Sequence, residues 1–218
     1  MGRVYVIQGA DGLTLVDTSL PGSAPKIARE LGAQGFQLGD VKRILITHAH
    51  QDHVGSLGAL QNMTSAQTYV QFKEALVVIG KQRFVRPRRE DLHGLYKLMA
   101  GIRLPNPPTA RVDREIVDGE ALDEVLPGLT VVDLPGHAPG QIGFWYAPKR
   151  LLIAGDALMH YAGKLRLPFA AFTADMAEAH RSIHKIADMD VDILCIGHGA
   201  PLIGNAGAAI REFASRLT

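Results

Sequence analysis

The stretch that decides the fold of this chain lies at positions 44–55. It reads Ile44-Leu45-Ile46-Thr47-His48-Ala49-His50-Gln51-Asp52-His53-Val54-Gly55. Its apolar start is typical of a buried strand, which leads directly into three histidines and an aspartate within six residues. Imidazole nitrogens and carboxylate oxygens are ligands that zinc and similar divalent ions prefer. The stretch therefore predicts a metal-binding loop at the end of a strand.

Composition limits the kind of protein that surrounds this loop. The chain has 218 residues, 47% of them hydrophobic, and its 23 basic and 22 acidic residues give a net charge of +1. This balance gives no reason to expect nucleic acid or an anionic membrane as a partner. The single cysteine, Cys195, excludes an intrachain disulfide. The sequence shows neither a signal-peptide pattern nor an apolar run of membrane-spanning length, so we expect a cytoplasmic protein.

The predicted strands and helices follow a similar order in two halves of the chain. The first half begins with a hairpin that has an Asp11-Gly12 turn, continues with a helix capped by Ser23, and ends in the strand at 44–46. The second half is predicted to hold three strands, a helix capped by Thr173 and a final strand, at 129–134, 141–147, 150–154, 174–189 and 192–196. This order indicates a layered α/β fold with the metal loop at the carboxyl end of a strand.

Three later loops repeat the arrangement of an apolar strand followed by a ligand-type residue beside a glycine. They contain His137, Asp156 and His198. Glycine lets the backbone turn sharply and approach a bound ion closely. With the first loop, they supply five histidines and two aspartates. Two four- or five-coordinate ions that share a carboxylate and a water would need about that many ligands.

With these motifs the chain resembles the metallo-β-lactamase superfamily, in the variant that has His rather than Arg after the motif Asp. The resemblance implies an α/β fold of the αββα sandwich type, two mixed sheets flanked by helices, in a single domain over residues 1–218. It also implies two divalent ions at one edge between the sheets, zinc in the first place, with iron or manganese as alternatives. The ligands it implies are His48, His50 and His137 for the first ion, Asp52, His53 and His198 for the second, and Asp156 as the bridge.

The chemistry implied by the resemblance is metal-assisted hydrolysis. A hydroxide that bridges the two ions attacks the carbonyl of an ester, lactone or thioester. Asp52 is the expected catalytic residue, because it can orient the attacking water and pass a proton to the leaving group. A phosphodiesterase or nuclease of the same fold is an alternative. A mono-iron sulfur dioxygenase and a non-hydrolytic binding protein are others.

Details of the motifs indicate which branches of the superfamily the chain resembles. Asp156 separates the chain from the true zinc β-lactamases, which lack a bridging carboxylate there. Glyoxalase II resembles it in all seven ligands but carries a C-terminal helical extension. The segment 167–173 resembles the Pro-Phe-Ala-Gly-Phe segment of acyl-homoserine lactonases, which usually have a tyrosine where this chain has Met159, and the nearest tyrosine here is Tyr161. We therefore expect a glyoxalase II-like or lactonase-like enzyme with a small-molecule substrate.

Further residues are expected around the site. Asp17 resembles the family's Val/Ile-Asp-Thr segment, whose carboxylate supports the metal loop; an aspartate that only caps a turn is the alternative. Phe169 and Phe172 either form an apolar acyl pocket or belong to the core. His160 either lines the pocket or lies on the surface. The complete set of candidates around the ligands is Asp17, Met159, His160, Tyr161, Phe169 and Phe172.

Segment 81–111 differs from the rest of the chain in charge. It holds eight Lys or Arg and two Asp or Glu. It predicts an insertion that covers a sheet edge. The insertion is either a solvated basic surface or a lid that attracts an anionic substrate. A homodimer formed through this segment is a further alternative.

Overall fold

The computed structural model describes residues 2–99 and 105–217 and arranges them in four layers, helix, sheet, sheet and helix. The described strands are β1 Tyr5–Gln8, β2 Leu13–Val16, β3 Val41–Leu45, β4 Gln67–Gln71, β5 Arg114–Ile116, β6 Leu129–Asp133, β7 Ile142–Tyr146, β8 Leu151–Ile153, β9 Met159–Tyr161, β10 Lys164–Arg166, β11 Ile193–Cys195 and β12 Leu202–Ile203. The described helices are α1 Ala24–Ala33, α2 Gln51–Val54, α3 Leu57–Met63, α4 Phe72–Val78, α5 Gly94–Met99, α6 Met176–Asp188 and α7 Ala206–Ala214. The predicted sandwich of two mixed sheets flanked by helices is confirmed.

The first sheet joins β1 to β5 in chain order. β1 and β2 form the predicted hairpin, with Tyr5 opposite Val16. From β2 to β5 the neighbouring strands are parallel. Because parallel strands end at the same edge of a sheet, the loop after β3 and the start of α4 after β4 lie side by side.

The second sheet has the order β12-β11-β8-β7-β6. Only β11 and β8 are parallel in it, and Cys195 is paired with Ile153 at their carboxyl ends. The loops that carry Asp156 and His198 therefore leave this sheet next to each other. The backbone N–H of Ile142 donates to the carbonyl of Thr47 at 2.9 Å, so the two sheets are joined beside the metal loop.

Buried side chains fill the spaces between the four layers. Along β6, Leu129 and Val131 face the other sheet, whereas Val132 packs with the helix-covered cluster that contains Ile183 of α6. This alternation follows from the two-residue period of a strand. The packing of the two sheets against each other places the site loops of the first and of the second sheet at one edge of the sandwich.

Several predicted boundaries differ from those observed. Thr173 does not cap α6. The carboxylate of Asp175 accepts the N–H of Glu178 at 2.9 Å, and the helix starts at Met176, two residues after its predicted start. Aspartate is a strong N-cap because its carboxylate accepts a free N–H of the first turn. Ser23 precedes α1, but its side chain makes no capping hydrogen bond. The short strands β9, β10 and β12 were not predicted.

The basic segment packs beside the site loops. Its helix α5 contacts the 3-10 turn Ala170–Phe172. Residues 100–104 of the predicted insertion lie outside the described residues.

Across the described part of the chain, every helix falls short of the length and apolarity needed to cross a bilayer.

Candidate metal centre

The seven candidate ligands come together at the edge where the loops after β3, β6, β8 and β11 meet. Their ligand atoms form three groups, within each of which all atoms lie within 4.8 Å of one another. The groups are His48, His50 and His137, then His48, His53 and Asp156, then Asp52, His53 and His198. Since His48 and His53 each belong to two groups, the seven side chains form one continuous cluster.

The first group is deeply buried. His48 is fully buried, and His50 and His137 are 8% and 3% exposed. Nδ1 of His50 lies 2.9 Å from Nε2 of His137. Two ligand atoms of tetrahedral zinc, each about 2.1 Å from the ion, lie about 3.4 Å apart. The observed spacing is therefore close to the one that a single ion requires.

Hydrogen bonds at the far side of the rings decide which nitrogen faces the cluster. Thr47 Oγ1 donates its only proton to Asp17 Oδ2 at 2.8 Å, so it must accept a proton from Nδ1 of His48 at 3.1 Å. Nδ1 of His53 lies 2.8 Å from the same Asp17 oxygen. In the neutral ring of each histidine, Nε2 therefore carries the lone pair. Neither Nε2 has a hydrogen-bond partner within residues 2–99 and 105–217.

Thr173 fixes the tautomer of His137 in the way that Thr47 fixes that of His48. Its Oγ1 donates to the carbonyl of Phe169 at 2.9 Å and lies 3.1 Å from Nδ1 of His137. The hydroxyl proton is already used, so the ring nitrogen is the donor and Nε2 is left as the ligand atom. The sequence pointed to Thr173 only as a helix cap, and nothing local indicated that it faces a residue 36 positions away.

Asp156 lies between the first group of ligands and the group of Asp52, His53 and His198. Its Oδ2 is 3.5 Å from Nε2 of His137 and 3.2 Å from Nε2 of His198, and its Oδ1 is 3.4 Å from Nε2 of His53. Nε2 of His198 is also 2.9 Å from Oδ2 of Asp52. Asp156 is 2% exposed, and in the described structure its Oδ1 accepts no hydrogen bond. Its two oxygens thus lie near His137 of the first group and near His53 and His198 of the other group.

The first group of ligands and His198 hold protons differently. Burial lowers the pKa of His50 to about 3 and that of His137 to about 4, so both are neutral at pH 7. Burial also acts to lower the pKa of His198, but its hydrogen bonds to Asp156 and Asp52 outweigh this and raise it to about 9. A protonated His198 therefore balances the two carboxylates where a divalent cation would otherwise do so.

Asp17 and Gly197 hold the loops in contact with each other. Asp17 Oδ1 also accepts the backbone N–H of Thr47 at 2.9 Å, so its carboxylate supports the metal loop at several points. A methyl group on Gly197 would lie 1.9 Å from Asp156 Oδ1 and 2.8 Å from Cε1 of His53. Only glycine permits this approach.

A cavity of about 380 Å³ opens onto the cluster. Candidate ligands line part of it, and a mainly apolar set of residues, called the apolar wall here, lines another part: Leu20, Phe84, Met159, Tyr161, Phe169 and Phe172. Four of the predicted pocket residues thus lie in this wall. His160 does not line the cavity; its Nδ1 lies 2.9 Å from the carbonyl of Ala200, and its backbone N–H donates to the carbonyl of His198 at 3.2 Å.

Leu20 and Phe84 were not predicted to lie at the site. The ring of Phe84 packs edge-on against His50, with 5.3 Å between the ring centroids. The sequence drew attention to segment 81–111 through its charge, whereas the described lining of the cavity takes an aromatic ring from it and no Lys or Arg. An isolated phenylalanine in a basic segment gives no local signal of such a contact.

Comparison with known proteins agrees with the fold. A family model for the metallo-beta-lactamase superfamily matches residues 1–198. The probable metallo-hydrolase YflN of Bacillus subtilis is 30% identical, over 100% of this chain and 88% of that protein. A hydroxyacylglutathione hydrolase of Methylobacillus flagellatus is 29% identical, over 79% of this chain and 52% of that protein.

A solved structure extends this agreement to three dimensions. The metallo-beta-lactamase family protein TTHA1429 from Thermus thermophilus has 27% sequence identity and a TM-score of 0.71, and the match covers 98% of this chain and 73% of that one. Sequence and fold therefore point to one family of metallo-hydrolases. The chain belongs to the metallo-β-lactamase superfamily.

Proposed function

We propose that this protein is a hydrolase with two divalent metal ions that cleaves esters, lactones or thioesters with an uncharged, apolar acyl group. The observation that carries the proposal is the position of Asp156. Its carboxylate is buried between a group of neutral histidines and a second group of ligands, and its oxygens reach both. A buried carboxylate in such a place needs positive charge beside it, which protonated His198 gives without a metal and which a divalent ion on each side would give instead.

The side chains present fit a pair of ions. Within the cluster, three buried atoms have no described hydrogen-bond partner, Nε2 of His48, Nε2 of His53 and Oδ1 of Asp156, and a metal could use each of them. The first ion would be held by His48, His50 and His137, the second by Asp52, His53 and His198, and Asp156 would bridge them. Nitrogen and oxygen donors without a thiolate suit zinc, and also iron or manganese. Bound there, two ions would bring the pKa of a water near neutrality and polarise the substrate carbonyl.

Asp52 is the group that moves protons in this proposal. Its side chain is 30% exposed and lines the cavity, so it reaches both the candidate ligands and the substrate. Burial raises its pKa, but the hydrogen bond to His198 more than offsets this, so the group is a carboxylate at pH 7. Asp52 orients the attacking water and takes a proton from it as the water oxygen bonds to the acyl carbon. It then passes that proton to the leaving oxygen or sulfur as the bond between the leaving atom and the acyl carbon breaks.

The cavity supports an apolar acyl group. At about 380 Å³ it is at the small end of ligand pockets, and apolar residues line it together with candidate ligands. Tyr161 lies in the apolar wall, and burial together with the charges of Asp156 and Asp52 raises the pKa of its hydroxyl. The hydroxyl therefore stays protonated and is available as a donor to a substrate carbonyl. The likeness to a hydroxyacylglutathione hydrolase adds thioesters to the candidate substrates.

A substrate panel tests the proposal. Esters, lactones and thioesters with acyl chains of graded length, with anionic analogues and phosphodiesters, are offered to protein loaded with zinc, manganese or iron. We expect turnover of neutral acyl compounds that is lost in His48→Ala. Turnover of phosphodiesters alone, or activity that His48→Ala retains, would contradict the proposal. A preference for anionic analogues would instead support the lid predicted for segment 81–111.

A further inference from the structure

Glu74 links the two loops that carry the first group of ligands. Its Oε2 accepts the backbone N–H of Ala49 at 2.9 Å, and its Oε1 accepts the N–H of Gly140 at 2.9 Å. Ala49 lies between His48 and His50, and Gly140 follows His137 by three residues. One carboxylate thus connects the metal loop of the first sheet with the His137 loop of the second sheet.

The helix that carries Glu74 is fixed at its start. α4 begins directly after β4, and the side chain of Gln71 caps it by accepting the N–H of Lys73 at 2.6 Å. Glu74 lies in the first turn of this helix and is 3% exposed. Because β4 is parallel to β3, the helix start lies beside the metal loop. The carboxylate is therefore held on a rigid element rather than on a loop.

The His137 loop rests directly on this helix start. A methyl group on Gly140 would lie 2.5 Å from Oε1 of Gln71 and 2.9 Å from Cγ of Glu74. Glycine at this position lets the backbone N–H reach the carboxylate. Each carboxylate oxygen thus meets one backbone donor, which is how a buried charge is accommodated in a protein interior.

We propose that Glu74 is a positioning residue of the metal centre. It sets the separation of the His48–His50 turn and the His137 loop, and with it the 2.9 Å spacing of Nδ1 of His50 and Nε2 of His137. The proposal deepens the function proposed above and rests on it for the presence of a metal ion. In the described structure the Glu74 carboxylate bonds to backbone N–H groups of the two loops and not to a candidate ligand side chain, so its effect passes through the backbone of the loops.

The variant Glu74→Gln tests this role with almost no change in volume. An amide has one oxygen, so one of the two backbone N–H groups would face an NH₂ group instead of an acceptor. We expect the affinity for Zn²⁺, measured by competition with a chelator, to fall 10- to 100-fold. The visible absorption of Co²⁺ bound to the first group should change as well. Wild-type affinity together with an unchanged Co²⁺ spectrum would overturn the proposal.

Gln61→Ala is the matched control for a general loss of stability. Gln61 also cross-links two segments, through Thr68 Oγ1 and both backbone groups of Arg111, but at the opposite end of β4. We expect it to lower Tm without changing the Zn²⁺ affinity. An equal loss of affinity in Gln61→Ala and Glu74→Gln would show that Glu74 is merely structural, and would overturn the proposal.

Amide hydrogen exchange in metal-free protein separates this proposal from the proposed function. The N–H groups of Ala49 and Gly140 should be protected in the wild type, and at least one should exchange at least tenfold faster in Glu74→Gln. If the wild type bound no Zn²⁺, the proposed function would fail, and the exchange rates alone would decide whether Glu74 holds the two loops. Unchanged exchange at both amides would overturn the role of Glu74.

Discussion

Oγ1 of Thr173 lies 3.1 Å from Nδ1 of His137, and the same hydroxyl donates to the carbonyl of Phe169 at 2.9 Å. One buried side chain therefore fixes the tautomer of a candidate ligand and the position of the pocket wall. The order of donors is unambiguous because a hydroxyl has one proton. Under the proposed function, binding of the metal and binding of the acyl group would be linked through Thr173.

Replacement of this hydroxyl is expected to weaken metal binding. Thr173→Val keeps the shape of the side chain but removes the acceptor for Nδ1 of His137, so the ring is no longer held in one tautomer. We expect the Zn²⁺ affinity, measured by calorimetry, to fall by about tenfold. Thr173→Ser restores the hydroxyl and should bind Zn²⁺ like the wild type. Equal affinities of the Val and Ser variants would show that the contact does not orient His137.

Metal affinity is expected to increase with pH up to about 9. In the metal-free protein the pKa of His198 is raised to about 9, and that of His53 also lies well above its ordinary value because Asp156 and Asp17 outweigh its burial. Both rings must lose a proton to bind a metal, so binding at pH 7 releases protons. Calorimetry in buffers of different ionisation enthalpy counts them. An affinity that is constant between pH 6 and 9 would contradict these protonation states.

Two glycine-to-alanine changes are expected to act on different properties, one on metal binding and the other on stability. A methyl group on Gly197 would meet Asp156 and His53, whereas one on Gly32 in α1 would meet no described atom within 4 Å. Gly197→Ala should therefore lower the Zn²⁺ affinity at least tenfold, because the bridging carboxylate has to move. Gly32→Ala should raise the free energy of unfolding by about 0.5–1 kcal/mol through helix propensity and leave Zn²⁺ binding unchanged. Undisturbed binding in Gly197→Ala would argue against a ligand role for Asp156.

The ring of Phe169 is expected to set the preference for acyl chain length. It lines the cavity and is 46% exposed, so its removal takes apolar contact from the substrate rather than from the core. In Phe169→Ala, kcat/KM should fall about tenfold for the longest acyl chains and change little for acetyl esters. Phe72→Ala is the control, since Phe72 is 48% exposed but lies outside the cavity lining. A uniform loss across all chain lengths would contradict the acyl pocket.

The candidate ligands could be predicted from the sequence because each one follows a local pattern. His48, His137, Asp156 and His198 all stand after an apolar strand, the last three directly after a glycine, and the fold brings such strand ends to one edge. The layered α/β fold could be predicted for the same reason, since strand and helix patterns are local. Boundaries were less certain, as Thr173 and Asp175 show, because both residue types can cap a helix.

The residues that support the ligands could not be predicted in this way. Glu74 acts on Ala49 and Gly140, which are 25 and 66 positions away, and no pattern near Glu74 marks it. Phe84 reaches His50 from a segment whose visible feature is its charge. Such contacts depend on how two sheets pack, and side-chain packing leaves no periodic signal in a single sequence.

Stepwise addition of zinc to metal-free protein tests the central claim most directly. The rate of hydrolysis of a neutral acyl ester is measured as Zn²⁺ is added in fractions of an equivalent. We predict that the rate rises until two equivalents have been bound and then stays constant. No hydrolysis at any zinc level, or a rate that is maximal at one equivalent, would contradict a hydrolase with one ion on each side of Asp156.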